Sequence, residues 1–156
     1  MTIRLLQNAS LSDVQREMAR MLGEGITDPT VRRLAEQATW NTADSIGAVF
    51  DFVQATFPYS PDPFGLELFI HPRRIAQDYY SGRTRMGDCD DLALLTGAML
   101  GSLGYQVRIA LVDLHGQGID HALAQVKTPL DWLSIDAASQ KPMGWQVNVH
   151  QMVTVQ

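Results

Sequence analysis

Cysteine is almost absent from this chain: Cys89 stands alone among 156 residues. One thiol excludes an internal disulfide framework and suits a reducing compartment. Long apolar runs are also missing. None approaches the roughly 20 residues that span a bilayer as a helix. The start of the sequence has no basic stretch followed by an apolar core and a small-residue cleavage site. Positive charge is scarce, twelve Lys+Arg against seventeen Asp+Glu, for a net charge of -5 at pH 7. The basic residues form only the pairs Arg32-Arg33 and Arg73-Arg74 and no stripe, which argues against electrostatic nucleic-acid binding. Repeats, low-complexity tracts and linkers are lacking as well. The expectation is one domain, 1–156, with a core of its own, acting in the cytoplasm without membrane or nucleic-acid partners.

What is present comes in two halves. Val14, Met18, Met21 and Leu22 share a helical face, which predicts a helix over 11–22 ended by Gly23. Asp28-Pro29 is an N-cap with proline at the first helical position, and Val31, Leu34, Ala35 and Ala38 continue it. Ile46, Val49, Phe50, Val53 and Phe57 predict a third, well-buried helix. Pro58 to Pro72 holds four of the seven prolines with Tyr59, Phe64 and Phe69 between them, and reads as an ordered aromatic loop. A short helix from Pro72 to Tyr79 follows. After Gly104 the period changes to alternation. Tyr105–Leu114, Ile119–Lys127 and Leu130–Ala137 are predicted strands, and Trp145–Val155 is a weaker fourth. Helices first and an antiparallel sheet afterwards predict an α+β fold.

Cys89 sits where these halves meet. Gly87 permits a tight turn, Asp88 can cap a helix, and Leu92, Ala93, Leu95, Thr96, Met99, Leu100 and Leu103 give that helix an apolar face up to Gly104. The thiol therefore lies in a first turn, where unpaired N–H groups and the helix dipole favour an anion. A lone cysteine is usually a small buried hydrophobe. Catalysis requires a base and an orienting carboxylate within reach.

Of the four histidines, His71 precedes a proline, His115 lies in a glycine-containing turn and His150 is near the C-terminus. His121 lies inside a strand and shares a face with Leu123 and Gln125, while Trp132, Ser134 and Asp136 share a face of the next strand. A hairpin centred between Thr128 and Pro129 places Gln125 opposite Trp132, Leu123 opposite Ser134 and His121 opposite Asp136. Opposed Cβ atoms are about 4.5–5.5 Å apart, which lets a carboxylate hold an imidazole. A slip of one residue puts the two on opposite faces. Taken alone, His121 and Asp136 read as an ordinary cross-strand polar pair; with Cys89 earlier in the chain, a Cys-His-Asp triad is the better reading.

Three motifs in order, Gly87-Asp-Cys-Asp-Asp-Leu-Ala93, Asp120-His-Ala-Leu-Ala-Gln-Val126 and Trp132-Leu-Ser-Ile-Asp-Ala-Ala138, resemble the transglutaminase-like superfamily of papain-fold cysteine enzymes, in its small bacterial or phage form. Ala48 to Tyr59 is similar to the helix and aromatic segment that precede the cysteine there. The resemblance covers about 43–138 and leaves 1–40 as a helical N-terminal extension. It implies a papain-like core with the nucleophile helix packed on a C-terminal antiparallel sheet. It also implies attack by Cys89 on a peptide or glutamine amide through a thioester, with His121 as base and Asp136 as its orienting partner. No cofactor is required. One oxyanion donor would be the Cys89 amide, and Tyr80 is a candidate for the second. Phage membership would place the protein in the host cytoplasm or the virion.

Asp88, Asp90 and Asp91 complicate a simple thiolate, because nearby negative charge raises a thiol's pKa. Acidic residues at a helix start also cap it and complement its dipole. Asp88 and Asp90 further match an acidic-Cys-acidic motif of a calcium-dependent branch of the superfamily, which makes calcium a candidate ligand there. The rival functional reading is a non-catalytic assembly module, of a phage particle for example, with the 57–69 aromatic segment as substrate cleft or partner surface.

Overall fold

Every residue from Asp91 to Leu100 is buried, so the cysteine helix runs through the middle of the protein. The computed structural model describes residues 3–7, 10–61, 66–83, 86–139, 141–145 and 151–155. In chain order these form β1 (Ile3–Gln7), α1 (Leu11–Ile26), α2 (Pro29–Ala38), α3 (Ser45–Thr56), β2 (Leu66–Ile70), α4 (Pro72–Tyr80), α5 (Cys89–Ser102), β3 (Val107–Asp113), β4 (His121–Lys127), β5 (Trp132–Ile135) and β6 (Gln151–Val155). The fold is α+β, and the described residues make five helices, an antiparallel sheet of order β5-β4-β3-β6, and a separate β1–β2 pair.

The one apolar face expected for α5 is an apolar surface all round, the mark of a helix with neighbours on every side. Those neighbours are α1, α2 and α3 together with β3 and β4. Two glycines allow the close approach. A Cβ at Gly97 would meet Leu22 at 3.1 Å and Ile109 at 3.2 Å, and one at Gly101 would meet Ile26 at 2.6 Å and Val107 at 3.3 Å. Helix and sheet thus interdigitate through side chains of α1 and β3 where α5 offers none. One cluster of buried apolar side chains reaches from Met18 in α1 to Val155 in β6.

α1 begins with a capping box between Ser10 and Asp13 and runs past Gly23 to Ile26, three residues beyond the predicted stop. Burial of Met18, Met21, Leu22 and Gly25 against the core outweighs the cost of one exposed helical glycine, about 1 kcal/mol. The helix ends where Asp28 caps α2, with its Oδ1 accepting the amides of Thr30 (2.9 Å) and Val31 (3.1 Å).

Two expectations are corrected. Pro58 to Pro72 is not loop throughout, because Leu66–Ile70 is a strand paired antiparallel with Ile3–Gln7, Ile3 opposite Ile70. Residues 62–65 of the aromatic segment lie outside the described residues. The β4–β5 register also differs: Gln125 faces Ser134 and Lys127 faces Trp132. The turn closes from Thr128 to Asp131, whose carbonyl accepts the Thr128 amide at 2.9 Å, rather than between Thr128 and Pro129. The pairing moves by two residues, an even shift that keeps every side chain on its predicted face. The weak last strand is β6, antiparallel to β3 with Val155 opposite Ile109; residues 146–150 of that prediction lie outside the described residues.

Candidate active site

Cys89 is the first residue of α5 and Asp88 is its N-cap. Asp88 Oδ1 accepts the amides of Asp90 (3.1 Å) and Asp91 (3.2 Å), while Asp91 Oδ2 accepts the Asp88 amide at 3.1 Å. This reciprocal box fixes the first turn, and with it the direction of the cysteine side chain. The sulfur is partly buried. It lies 4.0 Å from Asp90 Oδ1. Burial pushes the thiol well above its ordinary range, and the charges of Asp90, Asp88 and Asp136 push the same way; the Ala122 amide pulls partly back. At neutral pH the resting group is a thiol, so reaction needs a base at the moment of attack.

His121 is the first residue of β4, and its Nε2 lies 2.7 Å from Oδ2 of Asp136, just beyond β5. Both side chains are shielded, at 16% and 13% exposure, which strengthens the interaction relative to water. With Nε2 on the carboxylate, Nδ1 is the nitrogen left to meet a reactant. Asp136 is held in turn by the Ala138 amide, which donates to Oδ1 at 3.3 Å. The loop that delivers His121 is gathered by Asp113. Its Oδ1 accepts the amides of His115 (3.1 Å), Gly116 (2.7 Å) and Gln117 (3.3 Å), and its Oδ2 accepts that of Gly118 (3.1 Å).

Asp91 was legible only as an acidic residue of the first turn. Its side chain is 1% exposed, and beyond the capping box its Oδ1 accepts the Ile70 amide at 2.8 Å, joining the end of β2 to α5. Burial, then the nearby Asp88 charge, raises its pKa well above the usual carboxylate range. Gly87 runs so close that a Cβ there would stand 2.8 Å from Asp91 Cβ. Gly87 also donates its amide to Pro58 (3.2 Å) and accepts that of Ser60 (2.7 Å), so the aromatic segment is stitched to the turn before the cysteine.

The sequence model of the transglutaminase-like superfamily matches residues 28–137. The chain belongs to the transglutaminase-like superfamily. That span contains Cys89, His121 and Asp136 and leaves β1, α1 and β6 outside it. Among solved structures, a cysteine-protease candidate from Cytophaga hutchinsonii is similar to this transglutaminase-like chain, with a TM-score of 0.58 and 13% identity. The match covers 97% of this chain and 61% of that one. A protease candidate from Parabacteroides distasonis has a TM-score of 0.56 and 13% identity, covering 82% of this chain and 26% of its own. The chain therefore spans less than two thirds of either protein, and at this identity the likeness is one of fold. Among curated proteins none matches it in sequence.

Two residue assignments suggested by kinship with other transglutaminase-like proteins fall on side chains that have bonds of their own in the structure. The Tyr80 hydroxyl donates to Gln37 Oε1 at 3.0 Å, its ring packs edge-on against Tyr79, and the Arg33 guanidinium lies 3.9 Å from its centroid. In the structure the Tyr80 hydroxyl is thus bonded to α2. For Asp88 and Asp90, no group of three or more His, Cys, Asp or Glu side chains among the described residues is arranged to hold a metal ion. Asp88 spends Oδ1 on capping the helix. Among the described residues no helix is long and apolar enough to cross a membrane.

Proposed function

We propose that this protein is a cysteine-dependent hydrolase or acyl transferase acting on peptide or glutamine amides, with Cys89 as nucleophile, His121 as general base and then acid, and Asp136 as the group that orients His121. The observation that carries the reading is the 2.7 Å contact of His121 Nε2 with Asp136, on the strand against which the helix that begins at Cys89 is packed. Membership of the superfamily and the fold shared with two protease candidates support it.

The chemistry follows from the thiol's environment. Because burial and carboxylates hold Cys89 protonated, proton transfer to His121 Nδ1 accompanies attack of sulfur on the amide carbon. The new S–C bond puts the carbonyl electron pair on oxygen. The Cys89 amide, which a helix leaves without an intrahelical partner, stabilises that oxyanion. Collapse breaks the C–N bond; the leaving amine takes the proton from His121, and a thioester remains on Cys89. Water attacks the thioester with His121 as base and yields an acid, or an amine attacks and yields a new amide. Asp136 stabilises the imidazolium in both halves. The same three groups serve both outcomes.

A second reading, a structural or assembly module that keeps the fold, is favoured by the raised thiol pKa alone. Intact-mass labelling with iodoacetamide from pH 6 to pH 9 separates the two. In an enzyme the labelling of Cys89 near pH 7 depends on the base, so His121→Ala slows it by about tenfold or more, leaving a rate that still climbs at pH 9. Labelling indifferent to His121→Ala favours the module.

A further inference from the structure

We propose that Asp91 is the positioning residue of this site: its carboxyl binds the segments around the Cys89 turn to the first turn of α5 and so sets the direction of the sulfur relative to the strand that carries His121. The proposal rests on the reading of Cys89 as the nucleophile. A carboxyl that is 1% exposed requires partners, and those of Asp91 are two backbone amides from different segments. One is Asp88, at 3.1 Å, the residue directly before the cysteine; the other is Ile70, at 2.8 Å, the last residue of β2. Capping the helix accounts for the first bond and for neither the burial nor the second. The Asp91 side chain also forms the wall along which Gly87 passes, since a Cβ on Gly87 would stand 2.8 Å from Asp91 Cβ. Through Gly87 the same wall fixes Pro58 and Ser60, at 3.2 and 2.7 Å. The chain on both sides of Cys89 is thereby set relative to one buried side chain. A sulfur displaced by about 1 Å from its partner loses on the order of a hundredfold in reactivity.

The test is a double-mutant cycle between Asp91→Asn and His121→Ala, read as the iodoacetamide labelling rate of Cys89 by intact mass, with circular dichroism to establish folding. Asn keeps an acceptor for Ile70 and turns an N–H toward the Asp88 amide. A residue that only stabilises the fold leaves the His121 factor intact in the folded protein. A positioning residue makes the factor collapse, and the expected result is a His121→Ala effect near onefold in the Asp91→Asn background. Gly87→Ala, which presses on the same turn and removes no polar group, is run in parallel and is expected to reduce the factor likewise; it decides the matter if Asp91→Asn does not fold. A folded Asp91→Asn or Gly87→Ala protein that retains the full factor overturns the proposal. A wild-type Cys89 whose labelling ignores His121→Ala overturns the nucleophile reading itself, so the two failures are told apart.

Discussion

His121 and Asp136 meet along the diagonal of the β4–β5 pair. The ladder places Gln125 opposite Ser134 and Ala124 opposite Ile135, yet Nε2 of His121 lies 2.7 Å from Oδ2 of Asp136. Diagonal neighbours stand about 7–8 Å apart at the backbone, a span that an imidazole and a carboxylate close together. Because Asp136 follows the end of β5, its side chain is free to lean along the strand, and the Ala138 amide steadies it.

Asp136→Asn tests that diagonal. Asn retains the shape and loses the charge that favours an imidazolium. The labelling rate of Cys89 near pH 7 should fall by about tenfold to a hundredfold. The melting temperature should move little, because Asn keeps an oxygen that can accept from His121 Nε2 or from the Ala138 amide. A large loss of stability with an unchanged labelling rate would make the pair a structural tie only.

His71 sets a pH dependence of stability. It is fully buried, its Nδ1 accepts the Arg73 amide at 3.0 Å, and its Nε2 therefore carries the hydrogen that goes to Glu24 at 3.1 Å. Burial, opposed in part by Glu24, lowers its pKa below the ordinary 6.5. The native state thus binds fewer protons than the unfolded chain as pH falls past 6.5, and stability is lost on acidification at up to about 1.4 kcal/mol per pH unit. His71→Asn keeps a capping oxygen and removes the titrating group. It should be less stable than wild type at pH 7 by about 1 kcal/mol, and the gap should narrow between pH 6.5 and pH 5 in urea titrations. A constant gap would mean that His71 does not stay neutral in the fold.

Two glycines of α1 should respond in opposite directions. Gly23 has nothing within 4 Å of an added Cβ, so Gly23→Ala should stabilise by about 0.5–1 kcal/mol through helix propensity. A Cβ on Gly25 would meet Ala98 Cβ at 2.8 Å and Pro72 Cγ at 3.1 Å, neither of which can swing away. Gly25→Ala should therefore cost about 1–3 kcal/mol despite the same propensity gain. Thermal melts of the two variants check the pair, and equal shifts would contradict the packing of α1 on α5 and α4.

The elements legible in the sequence were those with local causes. Asp28-Pro29 starts α2, Gly87-Asp88 starts α5, and alternation puts His121 and Asp136 on one side of the sheet because side chains repeat with period two. Parity survived the register error because the longer turn, from Thr128 to Asp131, moved the pairing by an even number. Non-local features gave no such signal. β1 and β2 are five residues each and pair across most of the helical half, so neither carries a period long enough to stand out. The Gln37 amide that occupies the Tyr80 hydroxyl lies on another helix.

The sequence alone determined where the cysteine helix begins, which strand residues share a face, and that helices precede an antiparallel sheet, since caps, turns and periodicity act over a few neighbouring residues. Only the tertiary structure decided that α5 is enclosed on all sides, that it packs on the strand carrying His121, and that Asp91 reaches Ile70. Those facts depend on which segments pack together. The energy of a buried hydrogen bond or carboxyl is set by neighbours distant in the chain, and it comes into being when the core closes around it.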